Sequence, residues 1–207
     1  MRRKHVRKLL RTMEGGEPAR ITVSTTWNGL ARLAFIAQQF GYEYADLKQN
    51  GDRLALCIVP DPSPQAQRRA AQNWARYPDA GNGVSLPPVE PDAIELLKAR
   101  MVVDLGSQST DKLRMGMAVF VLTALAAAIG FRFHADTAVL VIVGIAWAAL
   151  LCLLPVLLAY SRRYRAKHVA RLQAAGFTPV TDRSGRVRYV PPGGQLPGHG
   201  NPFAGGA

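Results

Sequence analysis

The sequence predicts an α+β cytoplasmic domain of order β-α-β-β-α joined to a two-helix transmembrane hairpin. Two apolar runs, Met115 to Phe131 and Ala138 to Tyr160, make the hairpin. Short alternating segments punctuated by turn residues between Arg20 and Tyr77 make the domain. An uneven distribution of Lys and Arg then sets the side of the membrane on which the domain lies.

The apolar runs count 17 and 23 residues, and only Arg132-Phe133-His134-Ala135-Asp136-Thr137 separates them. Spanning a bilayer takes about 20 apolar helical residues, and an ionised side chain at its centre costs several kcal/mol. Spans are therefore expected over 114–133 and 137–160. Arg114 and Arg132 flank the first and can snorkel to the two interfaces. The connecting loop carries one base and one acid, whereas residues 161–207 carry eight bases and one acid. Lys112 and Arg114 precede the hairpin, and Arg162, Arg163, Arg165 and Lys167 follow it. Positively charged flanks stay inside, which predicts a multi-pass protein of the plasma membrane with both termini cytoplasmic.

Residues 1–19 read as a basic arm, with six Lys or Arg and no acid in the first twelve positions. No signal peptide is expected, because Arg11 and Glu14 interrupt any apolar stretch behind Leu9-Leu10. The domain follows over 20–105. Ile21 and Val23 mark a strand. Ser24, Thr25 and Thr26 offer caps for a helix whose face takes Trp27, Leu30, Ala31, Ala34, Ala37 and Phe40, with Gly41 ending it. Tyr42, Tyr44 and Leu47 belong to a second strand and Leu54, Leu56 and Ile58 to a third. Asn50-Gly51 is expected as the two-residue turn between them. Ser63 and Pro64 start another helix, with Ala66, Ala70, Ala71 and Trp74 as its apolar stripe.

This order gives the first five elements of a ferredoxin-like split β-α-β unit. Met101-Val102-Val103 reads either as its closing strand or as the end of a helix capped by Asp92 with Glu95. Residues 78–91 are a Pro/Gly-rich linker or surface-hugging loop, and Thr110 is a cap for the first membrane helix. Beyond Tyr160, residues 161–190 predict a basic helix stopped by Gly176 and a hairpin around Asp182-Arg183-Ser184-Gly185. A lone hairpin is marginal in water, so this one must dock, most simply on the sheet of the preceding domain. The tail 191–207 is Pro/Gly-rich and expected to be disordered.

Chemistry-bearing motifs are sparse. His5, His134, His168 and His199 show no metal-ligand spacing with one another or with Cys57 and Cys152, and no cofactor signature occurs. The cysteines fall in a cytoplasmic strand and a membrane helix, so no disulfide is expected. His134 with Asp136, and Glu43 with Asp46 and Lys48, are the close polar groupings; both read more readily as solvated surface than as catalytic. The membrane-surface or anion contacts expected are Arg2, Arg3, Lys4, Arg7, Lys8, Arg114, Arg162, Arg163, Arg165 and Lys167. Each would add about 1 kcal/mol beside an anionic leaflet. Small-residue steps at Gly144 with Ala148, and at Ala124 with Ala128, are expected to pack the two helices on each other or to support a homo-oligomer. Ala126 with Gly130 makes a further step of this kind.

The expected function is a non-enzymatic interaction, anchoring or regulatory module, without cofactor or metal, that holds a protein partner at an anionic membrane. The alternative is a membrane-tethered nucleic-acid binder using its basic termini. Arginine outnumbers lysine 20 to 6, a bias that GC-rich bacterial genomes produce.

Overall fold

The computed structural model describes residues 3–23, 25–51, 53–108, 111–132, 136–182 and 184–192. They form helices α1 (Arg3–Met13), α2 (Trp27–Gln39), α3 (Pro64–Arg76), α4 (Pro91–Ser107), α5 (Asp111–Arg132) and α6 (Thr137–Ala174). The strands are β1 (Ala19–Val23), β2 (Tyr42–Asn50), β3 (Arg53–Pro60), β4 (Thr178–Thr181) and β5 (Val187–Val190). Two compact units result: Met1–Leu105 with His168–Ala207, and Gly106–Lys167. The content is α+β with a small sheet, and α5 and α6 are long and apolar enough to cross a membrane.

In the first unit the sheet order is β1-β3-β2, with β3 antiparallel to both neighbours. Strands β1 and β2 therefore run parallel on either side of β3, and α2 is their crossover. Thr26 starts α2 by accepting from the Gly29 amide at 3.3 Å; Ser24, the first of the three cap candidates, lies outside the described residues. Ile21, Leu56 and Ile58 from the sheet and Leu30, Leu33 and Ala34 from α2 are fully or almost fully buried in one core. A bulge between Tyr44 and Asp46 shifts the strand's alternation, so Tyr44 and Leu47 both face that core.

The hairpin turn sits one residue later than Asn50-Gly51 predicts. Asn50 pairs with Arg53, so Gly51 takes the first loop position at φ 58°, while Asp52 lies outside the described residues. The reason is register. The observed pairing sets Leu47 opposite Leu56, two fully buried leucines, whereas the earlier turn would set Leu47 against the half-exposed Leu54.

Residues 3–13, expected as part of a free arm, are α1. Val6, Leu9, Leu10 and Met13 lie at helical spacing and all enter the core, and Tyr42 Oη donates to the Met13 carbonyl at 2.7 Å. The stripe predicted for α3 is thinner than expected: Ala66 is buried, while Trp74 is 37% exposed and leans on Phe40. Residues 78–82 form a single 3-10 turn with Ala80 buried, so this loop hugs the surface.

The segment 101–103 is helical. Helix α4 starts at Pro91, which puts Asp92 inside the first turn rather than at the cap, and Glu95 faces Lys98 and Arg171 instead. Ile94, Leu97 and Met101 recur at intervals of three and four and enter the main core, which settles the ambiguity in favour of helix. Among the described residues no fourth strand joins the sheet.

Helix α6 continues unbroken past Tyr160 to Ala174. Gly176, at φ 81°, ends it: its amide and that of Phe177 donate back to the carbonyls of Gln173 and Leu172. Beyond it β4 and β5 pair in a separate two-stranded sheet. Leu172, Tyr189, Val169 and Phe177 pack on Ala99, Val103 and Leu96 of α4, a second apolar cluster of the first unit. The hairpin thus docks through side chains rather than by extending the sheet. The tail from 193 onward lies outside the described residues.

In the second unit, the least exposed positions trace one seam along each helix: Ala118, Leu122, Ala126 and Gly130 on α5, and Val143, Trp147, Leu151, Leu154 and Leu158 on α6. Trp147 Nε1 donates to Thr123 Oγ1 at 3.2 Å across it. Gly144, Ala148, Ala124 and Ala128, expected to pack the helices, lie on exposed faces, and a methyl group added at Gly144 would meet open space. Trp147 fills the seam that a small-residue contact would need. The Ala126 and Gly130 step is on it. Asp136, paired with His134 in the sequence reading, instead caps α6, its carboxylate accepting from the amides of Ala138 and Val139. His134, Ala135 and Thr110 lie outside the described residues.

Leu172 is fully buried at the centre of the second apolar cluster. Leu172→Ala should therefore cost about 2–5 kcal/mol, read as a lower unfolding midpoint of the first unit in the full chain. An unchanged midpoint would show that the hairpin adds nothing to it.

Candidate functional site

Helix α4 carries Arg100 and Asp104 one turn apart within an otherwise apolar stretch, and both are buried. The hairpin brings Arg188 to the same place, 4% exposed, and the bulged strand β2 brings Asp46, 3% exposed. Charged residues are almost never fully buried without a partner, so the cluster is the strongest candidate in the fold.

Arg188 is its hub. Its guanidinium lies 3.5 Å from Asp104 Oδ2 and 3.9 Å from Asp46 Oδ1, and it donates to the carbonyl of Ala45. Ala45 falls at the irregularity of β2, an edge strand of the three-stranded sheet, and the guanidinium covers the edge there. Arg186 adds a second layer, 3.6 Å from Asp46 and 3.4 Å from Asp182. Asp182 also accepts from the Ser184 amide, closing the hairpin turn.

Arg100 stacks over the ring of Tyr44, with its guanidinium carbon 5.1 Å from the centroid. Burial lowers its pKa, and the nearby Asp104 only partly offsets that. Burial likewise pushes the Asp104 carboxyl up, against the pull of Arg188 and Arg100. Arg188 behaves oppositely: burial opposes its charge, but Asp104, Tyr44 and Asp46 outweigh burial and raise its pKa. Glu43, at the margin of the cluster, is pushed up to about 7 by burial and by Asp61.

The sequence grouping of Glu43, Asp46 and Lys48 thus divides. Asp46 is held by two arginines, while Glu43 is half-buried near Asp61. Among the described residues no set of three or more His, Cys, Asp and Glu is placed to hold a metal. Both cysteines are free thiols, and burial raises the Cys57 pKa. Arg100, Asp104 and Arg188 were not among the sequence candidates. Their signal was there: charges at 100 and 104 on the face of an apolar helix, and an arginine inside the strand VRYV.

The expected anion contacts also divide. Arg162 and Arg165 clasp Asp111 at 2.8 and 2.7 Å, and Arg114 and Arg165 both donate to the carbonyl of Gly106. Arg163 and Lys167 are exposed, as are Arg3, Lys4, Arg7 and Lys8 on α1. Arg2 lies outside the described residues. In comparisons with known proteins, no family model, curated protein or solved structure matches the chain.

Two predictions follow from the charges. Arg188→Met would leave two buried carboxylates poorly compensated, at a cost of about 3–5 kcal/mol, and Asp46→Asn with Asp104→Asn in the same chain should recover part of it. Chemical denaturation of the two variants beside the parent chain checks this, and no recovery would mean that Arg188 acts through packing alone. For Glu43, the folded pKa of about 7 lies above the ordinary 4.5. The folded state then binds more protons between these values, so stability is fully present below 4.5 and falls as pH rises towards 7. Glu43→Gln should flatten that fall, by roughly 1–2 kcal/mol after allowance for solvent screening. Denaturation midpoints at pH 5 and 8 provide the measurement.

Proposed function

We propose that this chain is a two-pass protein of the plasma membrane whose cytoplasmic α+β unit serves as a non-enzymatic anchoring or regulatory module for a protein partner. The observation that carries the reading is that the first unit is built from both sides of the apolar pair. Arg188, from beyond α6, neutralises Asp46 and Asp104, from before α5. A unit closed in this way requires both flanks in one compartment, hence an even number of crossings. The basic flanks at Lys112, Arg114, Arg163 and Lys167 favour the cytoplasm.

A regulatory or anchoring role is favoured over chemistry because the acids of the cluster are taken up in ion pairs: two arginines, Arg186 and Arg188, face Asp46, Asp104 and Asp182. The sheet topology remains compatible with a ferredoxin-like ancestry in which side-chain docking of a hairpin takes the place of a fourth strand. The nucleic-acid alternative has less support. Of the basic residues after the second apolar run, Arg162, Arg165, Arg171, Arg186 and Arg188 are all in ion pairs.

Alkaline phosphatase fused at either terminus should be inactive, and inserted at Ala135 it should be active. An active C-terminal fusion would overturn the two-pass reading. For the module itself, cross-linking in native membranes followed by purification in mild detergent should trap a stoichiometric protein on residues 1–105. Recovery of the chain with nucleic acid and no protein would favour the alternative instead.

A further inference from the structure

Helix α1 carries five basic side chains, Arg3, Lys4, Arg7, Lys8 and Arg11, and no acid. All five are exposed, and among the described residues none of them forms an ion pair. That sets them apart from the arginines of α6 and the hairpin, most of which meet a carboxylate. The other face of α1 is wholly engaged: Val6, Leu9, Leu10 and Met13 are 0–5% exposed in the main core. An eleven-residue helix is about 16 Å long, so its charges lie within roughly two Debye lengths at physiological salt and act on a partner together.

We propose that this face of α1 is a preformed cationic platform that binds the headgroup surface of an anionic bilayer without inserting. Interfacial amphipathic helices bind lipid by burying their apolar face among the acyl chains. Here that face is already inside the protein, which leaves the charges as the binding element. A bilayer is favoured over nucleic acid for two reasons. No aromatic side chain interleaves with the bases of α1 to stack on nucleotides. On the reading of α5 and α6 as membrane spans, on which this proposal rests, the leaflet is present at high effective concentration. Each basic side chain strengthens contact with an anionic leaflet about fivefold.

The test uses the full-length chain in nanodiscs of phosphatidylcholine alone or with about one third phosphatidylglycerol. Acetylation rates of Lys4 and Lys8 are read by mass spectrometry against Lys98 as internal reference. The expected result is at least fivefold slower modification of Lys4 and Lys8 in the anionic discs, reversed by 0.5 M NaCl. Arg3→Gln with Arg7→Gln and Arg11→Gln removes three charges, leaves the buried face intact, and should weaken the contact about a hundredfold, erasing the difference between the two lipids. Equal rates in both lipids would overturn the proposal. So would a lipid effect that survives the triple substitution, or protection by single-stranded nucleic acid at physiological salt with none by lipid. Resistance of the chain to carbonate extraction reports the spans independently, so failure of that reading is seen apart from failure of this one.

Discussion

Two carboxylates, Asp46 and Asp104, are buried where strand β2, helix α4 and the terminal hairpin meet, and the guanidinium of Arg188 lies within 4 Å of both. Taking such ions out of water costs several kcal/mol each, and only close partners offset it. The rest of the first unit depends on that requirement. Residues 1–105 place two buried carboxylates at this point against the single guanidinium of Arg100, whose pKa burial lowers. The hairpin therefore contributes more than apolar cover. It completes the electrostatics of a domain whose other parts lie some 140 residues earlier, as the contact of Arg188 with Ala45 illustrates.

A hydrophobic hairpin could have covered the same surface, with equal or better stability by the general behaviour of buried ion pairs. What charge adds is register. Arg188 must reach Asp46, Asp104 and the Ala45 carbonyl at once, and a shift of one residue along β5 would point it to the other face. The bulge of β2 serves the same end, since it turns Tyr44 to the core and Asp46 away from it within three residues. Four-residue strands carry little intrinsic preference for one docking geometry, so a charged anchor of fixed reach suits them.

Much of this was legible in the residues. Alternation at Ile21/Val23 and Leu54/Leu56/Ile58, the hydroxyls before Trp27 and the Ser63-Pro64 start each located an element, because each acts through neighbours in sequence. The apolar runs were legible for the same reason. The misses share a different cause. Asn50-Gly51 is a strong local turn signal that lost to the long-range pairing of Leu47 with Leu56. The burial of α1 depends on a core built by residues that follow it, and its basic composition concealed the Val6-Leu9-Leu10-Met13 stripe. The seam of α5 and α6 took Trp147, its bond to Thr123 and the Ala126/Gly130 step rather than the Gly144/Ala148 and Ala124/Ala128 steps, a choice made by side-chain fit and invisible to spacing.

The same distinction separates the arginines. Sequence counts them alike, as a surplus of basic charge near an apolar hairpin. In the fold they form two populations. Arg162, Arg165, Arg171, Arg186 and Arg188 each meet a carboxylate of the chain, and their charge is largely cancelled within a few ångströms. Arg3, Arg7 and Arg11 meet none among the described residues, so their field extends into solvent over a Debye length of about 8 Å. Net charge of +12 therefore overstates what the arginines after the apolar runs offer to an anionic partner, and does not show that five bases share one exposed face of α1. A surface is defined by what remains unpaired after folding, and here five such charges stand together on one helix whose other side is locked into the core.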